Sequence, residues 1–180
     1  MTDQRWRVID KRLVADRSPY ARVYDLDLQL PEGKTITNWL QVDLPPFVIA
    51  FVVTAEGRIP FVRQYRQAVG DWLLELPAGH VDDGEGFEAA VARETLEETG
   101  YRAEKWESLG RYVMDANRDC GWCHAFLGRG AVLAAPPDPG DLGEMTLHLL
   151  SIDEVREKWR AGDFVSAPTA LVIGLALARL

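Results

Sequence analysis

Among 180 residues there are only two cysteines and three histidines, and no stretch approaches the roughly 18 to 20 consecutive apolar residues that a membrane-spanning helix needs. The first shortage excludes a disulfide framework as the basis of the fold, and the second excludes a helical membrane span. The N-terminal string from Met1 to Arg17 lacks the apolar core of a secretory signal, so the expectation is a soluble cytoplasmic protein with no membrane partner. Basic residues are in short supply as well: 20 Lys and Arg face 28 Asp and Glu, for a formal charge of −8. Such a surface repels a phosphate backbone, so nucleic acid is not an expected partner.

What the chain does have is apolar content, 47% of its residues, enough to bury a core without metal or disulfide staples. Residues 1–45 hold β-rich runs, Val23 to Leu30 and Lys34 to Val42, separated by Pro31-Glu32-Gly33 as turn chemistry. They read as a small N-terminal antiparallel sheet. Pro45-Pro46 removes two backbone donors and interrupts pairing, which places a domain boundary there, with a second domain over 46–180. That second domain begins with a buried strand from Phe47, a Glu56-Gly57 turn and a hairpin partner from Arg58 to Arg66. A helix from about Gly86 to Thr99 follows, then strands near 106–113 and 121–127, a Gly/Pro/Ala-rich loop over 128–143, and a strand from Met145 to Leu150. Ser151 with Glu154 is a capping box for a helix to about Trp159, and an apolar helix closes the chain from about Ala167. The order is mixed α and β.

Cys120-Gly121-Trp122-Cys123-His124 matches both a redox dithiol and a haem-attachment string. Haem attachment needs export, and a redox dithiol sits at a helix start, whereas Ala125-Phe126-Leu127 continues here as a strand. Structural or incidental cysteines are therefore expected, with a redox or haem protein as a remote rival.

The chemistry concentrates between Gly79 and Gly100, where Asp82, Asp83, Glu85, Glu88, Glu94, Glu97 and Glu98 face a single base, Arg93. An acidic helix is ordinarily a solvated face with ion pairs. With Glu94 set to zero, though, Glu97 lies near −60° and Glu98 near +40° around the helix, so three carboxylates share one arc of about 100°. Ala89, Ala92, Thr95, Leu96 and Thr99 fall opposite and are expected to press against a sheet. One guanidinium cannot neutralise three carboxylates, and a hard divalent cation is the natural remedy. Mg²⁺ or Mn²⁺ takes oxygen ligands and keeps substrate phosphates in its shell, which points to a small phosphate-bearing substrate.

Gly79, Glu85, Arg93-Glu94, Glu97-Glu98 and Gly100 stand at the fixed positions of the pattern G-x5-E-x7-R-E-U-x-E-E-x-G-U, where U is bulky and aliphatic. The segment resembles the box of the Nudix hydrolase family, departing from it only at Thr95 and Tyr101. The resemblance implies an α/β/α sandwich with a mixed sheet, and metal ligation by Glu94, Glu97 and Glu98 helped by a backbone carbonyl near Ala78 or Gly79. It further implies that Glu85 and Arg93 position the loop and helix, with Gly79 and Gly100 as structural glycines. An added carboxylate, Glu144 or Asp141, is placed to serve as base. Catalytic weight is accordingly assigned to Glu97, Glu98, Arg93 and Glu144.

The strings Val62-Arg63-Gln64-Tyr65-Arg66 and Glu75-Leu76-Pro77-Ala78-Gly79 resemble the ADP-ribose and ADP-sugar pyrophosphatase branch. That branch implies a homodimer built partly by the N-terminal sheet, a Mg²⁺ cofactor, and a nucleotide substrate cut into AMP and a sugar phosphate. Arg63, Arg66, Trp39 and Arg118 are the candidates for substrate contacts. Arg63 and Arg66 share a strand face only if a bulge skips one residue, since their separation is odd. Asp115-Ala116-Asn117 stands where the branch often has a Ser-Pro-Gly type loop, which opens the alternatives of GDP-sugars, coenzyme dinucleotides and diadenosine polyphosphates. A non-catalytic nucleotide-binding or metal-binding module is the rival of another class.

Overall fold

The computed structural model describes residues 4–138 and 145–180. The chain divides into two compact units, Met1–Pro45 with Val113–Trp122, and Pro46–Tyr112 with Cys123–Leu180.

The first unit is an antiparallel meander of β1 (Arg7–Arg17), β2 (Ala21–Gln29) and β3 (Thr35–Asp43). Gly33, at φ +87°, makes the β2–β3 turn, as its amide donates to the Leu30 carbonyl at 2.9 Å. That conformation is strained for any residue with a Cβ. Leu26 and Leu28 are buried, while every residue of β1 is exposed. The Val113–Trp122 segment joins this unit through the Val42 amide, which donates to the Arg118 carbonyl at 2.9 Å.

The second unit carries β4 (Phe47–Thr54), β5 (Arg58–Arg66), β6 (Asp71–Glu75), β7 (Ala78–His80), α1 (Phe87–Thr99) and β8 (Tyr101–Arg102). It continues with β9 (Lys105–Asp115), which leaves the unit after Tyr112, and β10 (Cys120–Leu133), which enters it at Cys123. The last elements are β11 (Met145–Ser151), α2 (Ile152–Ala161) and α3 (Ala167–Leu177). One sheet runs β7-β4-β10-β8 with β9 beside β10, and a second runs β11-β5-β6. The β4–β10 pair is parallel and the β4–β7 pair antiparallel, so the sheet is mixed.

Strand β4 is buried on both faces, as its unbroken apolar run Phe47-Val48-Ile49-Ala50-Phe51-Val52 requires. Val48, Ala50 and Val52 pack with Ala90 and Val91 of α1. Ile49 and Phe51 face the other way, onto Val155 of α2 and Val172 and Ile173 of α3. Each of the buried Val, Ile and Phe side chains contributes about 1.5–3 kcal/mol by leaving water. The expected α/β/α layering is present, and so is the capping box: the Ser151 hydroxyl accepts from the Glu154 amide while the Glu154 carboxylate accepts from the Ser151 amide.

Two expectations are corrected. The Glu56-Gly57 turn does join β4 to β5, but the two strands lie in different sheets and are not ladder partners. The Gly-rich stretch from residue 128 is not loop until after Leu133. Gly128 is there because a Cβ would lie 2.8 Å from the Trp106 ring, and Gly130, at φ +64°, accommodates a register shift between Arg129 and Ala131. Both glycines serve strand packing, a use of glycine that composition does not separate from loop.

Candidate active site

Strand β7 ends at His80, an acidic loop follows, and α1 begins at Phe87. Arg93 ties these pieces together. Its Nε and Nη2 donate to the two Glu85 oxygens at 3.1 and 2.9 Å, and Nη2 also donates to the His80 carbonyl at 3.0 Å. Glu85 accepts the Asp82 amide at 3.2 Å, which closes the loop on itself. The Arg93 hydrogen bonds hold the Glu85 carboxyl below its ordinary range, and the same pairing raises the already high pKa of Arg93. The remaining nitrogen, Nη1, donates to Glu94 at 2.8 Å and Glu97 at 3.2 Å.

The two inner glutamates meet the backbone of β7. Glu98 accepts the Ala78 amide at 3.0 Å. The Glu94 carboxylate, 15% exposed, lies on Gly79 so closely that a Cβ there would overlap it. Burial raises the pKa of Glu94, and burial pushes that of Glu98 up to about 7, against only partial relief from the Ala78 amide. A carboxyl in that state carries a desolvation penalty that a nearby cation would remove.

The helix is turned differently from expectation. Its buried residues are Ala90, Val91, Thr95 and Thr99, while Ala89 is exposed and Ala92 and Leu96 are half-buried. The packed arc therefore includes Glu94 and Glu98, and of the three box glutamates only Glu97 faces outward. The β7 backbone covers that arc, with Glu98 on Ala78 and Glu94 on Gly79. The Thr95 hydroxyl is buried with no hydrogen-bond partner among the described residues, whereas Thr99 Oγ1 donates to the Thr95 carbonyl at 2.5 Å. Gly100 caps the helix at φ +75°, and a Cβ there would overlap the Ala135 carbonyl.

Among the described residues no three His, Cys, Asp or Glu side chains are gathered closely enough to hold an ion as they stand. Glu94 and Glu97 turn to Arg93 and Glu98 turns to the Ala78 amide. The donors still fit a hard divalent cation, since they are all oxygen, carry more negative charge than Arg93 offsets, and lie against the Ala78-Gly79 backbone.

A cleft of about 200 Å³ opens beside these residues, lined by Arg66, Glu75, Ala78, Gly79, His80 and Ser166 among others. Arg66 belongs to it, with Nε donating to Glu75 at 2.6 Å. Arg63 does not: β5 and β6 pair without a bulge from Val62–Glu75 to Arg66–Asp71, so Arg63 points to the other face and lies over the Trp72 ring at 4.7 Å. Glu75, which is not among the residues singled out from sequence, lines the same cleft, and its place one strand away from Arg66 on an alternating pattern is the signal that reveals it.

Trp39 and Arg118 come together in the first unit, lining a separate shallow pocket with Asn38, Leu40 and Asn117. Trp39 Nε1 donates to the Asn117 carbonyl at 3.0 Å, Trp6 meets its ring edge-on at 5.8 Å, and Arg118 is held by Asp115 at 2.6 Å. Glu144 and Asp141 lie outside the described residues. Cys123 is fully buried and its thiol is pushed up to about 12 by burial, while burial also raises that of half-buried Cys120. Neither is a reactive thiolate near neutral pH.

Residues 43–168 match the NUDIX domain family model. The chain is 34% identical to a CMP-5'-(N-acetyl-N-hydroxy-3-aminopropyl)phosphonate hydrolase of Streptomyces rubellomurinus, over 97% of this chain and 85% of that one. It is 36% identical to the ADP-ribose pyrophosphatase of Bacillus subtilis, over 66% of this chain and 65% of that one. A crystal structure of an ADP compounds hydrolase superposes with a TM-score of 0.85 at 18% identity, covering 98% of this chain and 95% of the other.

Proposed function

This chain belongs to the Nudix family and is a Nudix hydrolase, and from that premise we propose that it cleaves the diphosphate linkage of a nucleoside diphosphate joined to a second group, with ADP-ribose or an ADP-sugar as substrate. AMP and a sugar phosphate are the products. The observation that carries the reading is the seating of Glu94 on Gly79 and Glu98 on Ala78, two largely desolvated carboxylates of which only Glu94 is paired with Arg93.

Glu94, Glu97 and Glu98, with the Ala78 or Gly79 carbonyl, are the residues that would hold a divalent cation, Mg²⁺ in the first instance with Mn²⁺ as substitute. Such an ion supplies charge withdrawal from the diphosphate and acidifies the attacking water. The chain's own part is positional. Arg93 fixes the Glu85 loop to α1 and holds Glu94 and Glu97 in place until substrate arrives. Arg66 faces the cleft and receives phosphate. Glu144 or Asp141 supplies a carboxylate base, with a box glutamate as the third candidate. Trp39 and Arg118 are proposed to receive the nucleoside, by stacking and by charge respectively. A homodimer built partly by the β1–β3 sheet, whose outer strand is wholly exposed, completes the proposal.

A second reading is favoured by the whole-chain similarity to the CMP-phosphonate hydrolase, which includes the N-terminal sheet where the B. subtilis match spans about two thirds of the chain. In this reading the nucleoside is cytidine and the second group a phosphonate. Turnover of ADP-ribose, ADP-glucose, GDP-mannose, NADH and a CMP-phosphonate conjugate, side by side with Mg²⁺ and then Mn²⁺, decides between them. Highest kcat/KM on an ADP-sugar supports the first reading and on the CMP conjugate the second, and no turnover of any of the five sinks both.

A further inference from the structure

We propose that Glu75 is a positioning residue that locks Arg66 as a rigid phosphate receptor in the cleft beside Ala78 and Gly79. This rests on the reading of the cleft as the place of a diphosphate and deepens it by naming what aims the arginine.

The geometry is asymmetric. Glu75 is 10% exposed at its side chain and Arg66 is 42% exposed, so the acid is the buried anchor and the base is the part that meets solvent. The bond uses Nε, at 2.6 Å. Among the described residues it is the sole hydrogen bond of the Arg66 side chain, which leaves the outer edge of the guanidinium, with both Nη groups, open to a ligand. A guanidinium is a planar fork, so fixing Nε fixes the direction in which the Nη edge looks. Strand register makes the anchor available: Val62 stands opposite Glu75 and Arg66 opposite Asp71, with no shift between, so Arg66 and Glu75 emerge on one face of the β5–β6 ladder. The same cleft includes Ala78 and Gly79, the backbone on which Glu94 and Glu98 rest.

A free arginine at the surface loses rotamer freedom when it grips a phosphate, and that loss weakens binding. With Glu75 holding Nε the loss is met on folding, and the ligand meets an arginine already in place.

The test is equilibrium binding of methylenediphosphonate, which cannot be cleaved, in the presence of Mg²⁺, by calorimetry on the full chain. Glu75→Ala and Arg66→Ala are each expected to weaken binding about tenfold, and the double variant by no more than Arg66→Ala alone, because Glu75 acts through Arg66. Arg66→Lys keeps the charge pair with Glu75 but has no second edge, and is expected to lose about as much as Arg66→Ala. Glu75→Gln keeps an acceptor oxygen and is expected to retain affinity within about threefold. Losses that multiply in the double variant, wild-type affinity in Glu75→Ala, or wild-type affinity in Arg66→Lys each overturn the proposal, as does a wild-type protein that binds no methylenediphosphonate. If Glu75→Ala does not fold, Arg66→Lys and Glu75→Gln decide the matter. The functional reading is judged separately by turnover: hydrolysis of ADP-ribose or the CMP conjugate with uncoupled binding leaves that reading standing and removes this one, while coupled binding without any turnover does the reverse.

Discussion

The β1–β3 sheet and helix α1 both carry dense charge, and they dispose of it in opposite ways. On the sheet, Arg12 is shared between Asp10 and Asp27, Arg22 faces Asp43 at 3.9 Å, and Lys11 lies 3.8 Å from the centre of the Tyr24 ring. Acid and base alternate there in contact with solvent, where each pair contributes little and can be exchanged for water. On α1 and its loop, Glu85, Glu94 and Glu97 converge on one guanidinium, while Glu98 has no cation in hydrogen-bond contact among the described residues and sits partly buried. Balanced, wetted charge makes a surface, whereas unbalanced and desolvated charge marks a place kept for a ligand of opposite sign.

The largest expected effect comes from removing that imbalance. Glu97→Gln and Glu98→Gln should each lower kcat on the best substrate at least about 100-fold, with an unchanged far-UV spectrum. Turnover near the wild-type level in both would erase the distinction between the two regions. Next in size is Gly79→Ala. The added Cβ must evict the Glu94 carboxylate from its seat, and we expect a loss of about tenfold or more in kcat together with a higher Mg²⁺ requirement. A wild-type metal requirement would show that Glu94 leaves this seat whenever the ion binds.

The chemistry of α1 was legible because it resides in residue identity and spacing, which survive without coordinates. The capping box at Ser151 follows from a local rule and is present, and the layering around β4 that the family resemblance implied is present as well. What was illegible was orientation. A helical wheel placed the packed side opposite the carboxylates, on the small residues, but β7 offers the Ala78 amide and the bare Gly79 to the carboxylate arc and makes its burial tolerable. Likewise, Gly128 and Gly130 read as loop because glycine marks both loops and strand irregularities, and only the Trp106 ring against Gly128 and the register shift at Gly130 tell the two apart. Arg63 and Arg66 could not be separated until the β5–β6 register excluded a bulge.

A third experiment turns on protons. Glu98, with its pKa pushed from 4.5 up to about 7, and Glu94, shifted in the same direction, take up protons more readily folded than unfolded. Their contribution to stability is therefore full below about pH 4.5 and is lost as pH rises through about 7. In EDTA the thermal midpoint should fall between pH 5.5 and pH 8, and Mg²⁺ should restore most of the loss at pH 8, where a cation takes the place of the protons. Glu98→Gln should flatten the EDTA profile. A midpoint that rises over this interval in EDTA, or a slope that survives Glu98→Gln, would assign the effect to other groups.

The smallest effect is expected where the charges are balanced. Arg12→Ala breaks the pairs with Asp10 and Asp27 and a 3.1 Å hydrogen bond to Asn38. Neither acid is stranded by the change, for Asp27 still accepts the Asn38 amide at 3.1 Å and Asp10 lies in water. The thermal midpoint should therefore drop by no more than about 3 °C, and kcat should be unchanged. Arg93→Ala offers the matched contrast, because it frees Glu85, Glu94 and Glu97 together from the one guanidinium they share and detaches the His80 carbonyl as well. If Arg12→Ala cost as much in midpoint as Arg93→Ala, the sheet would be held by its ion pairs after all, and the two regions would differ in chemistry but not in how they use charge.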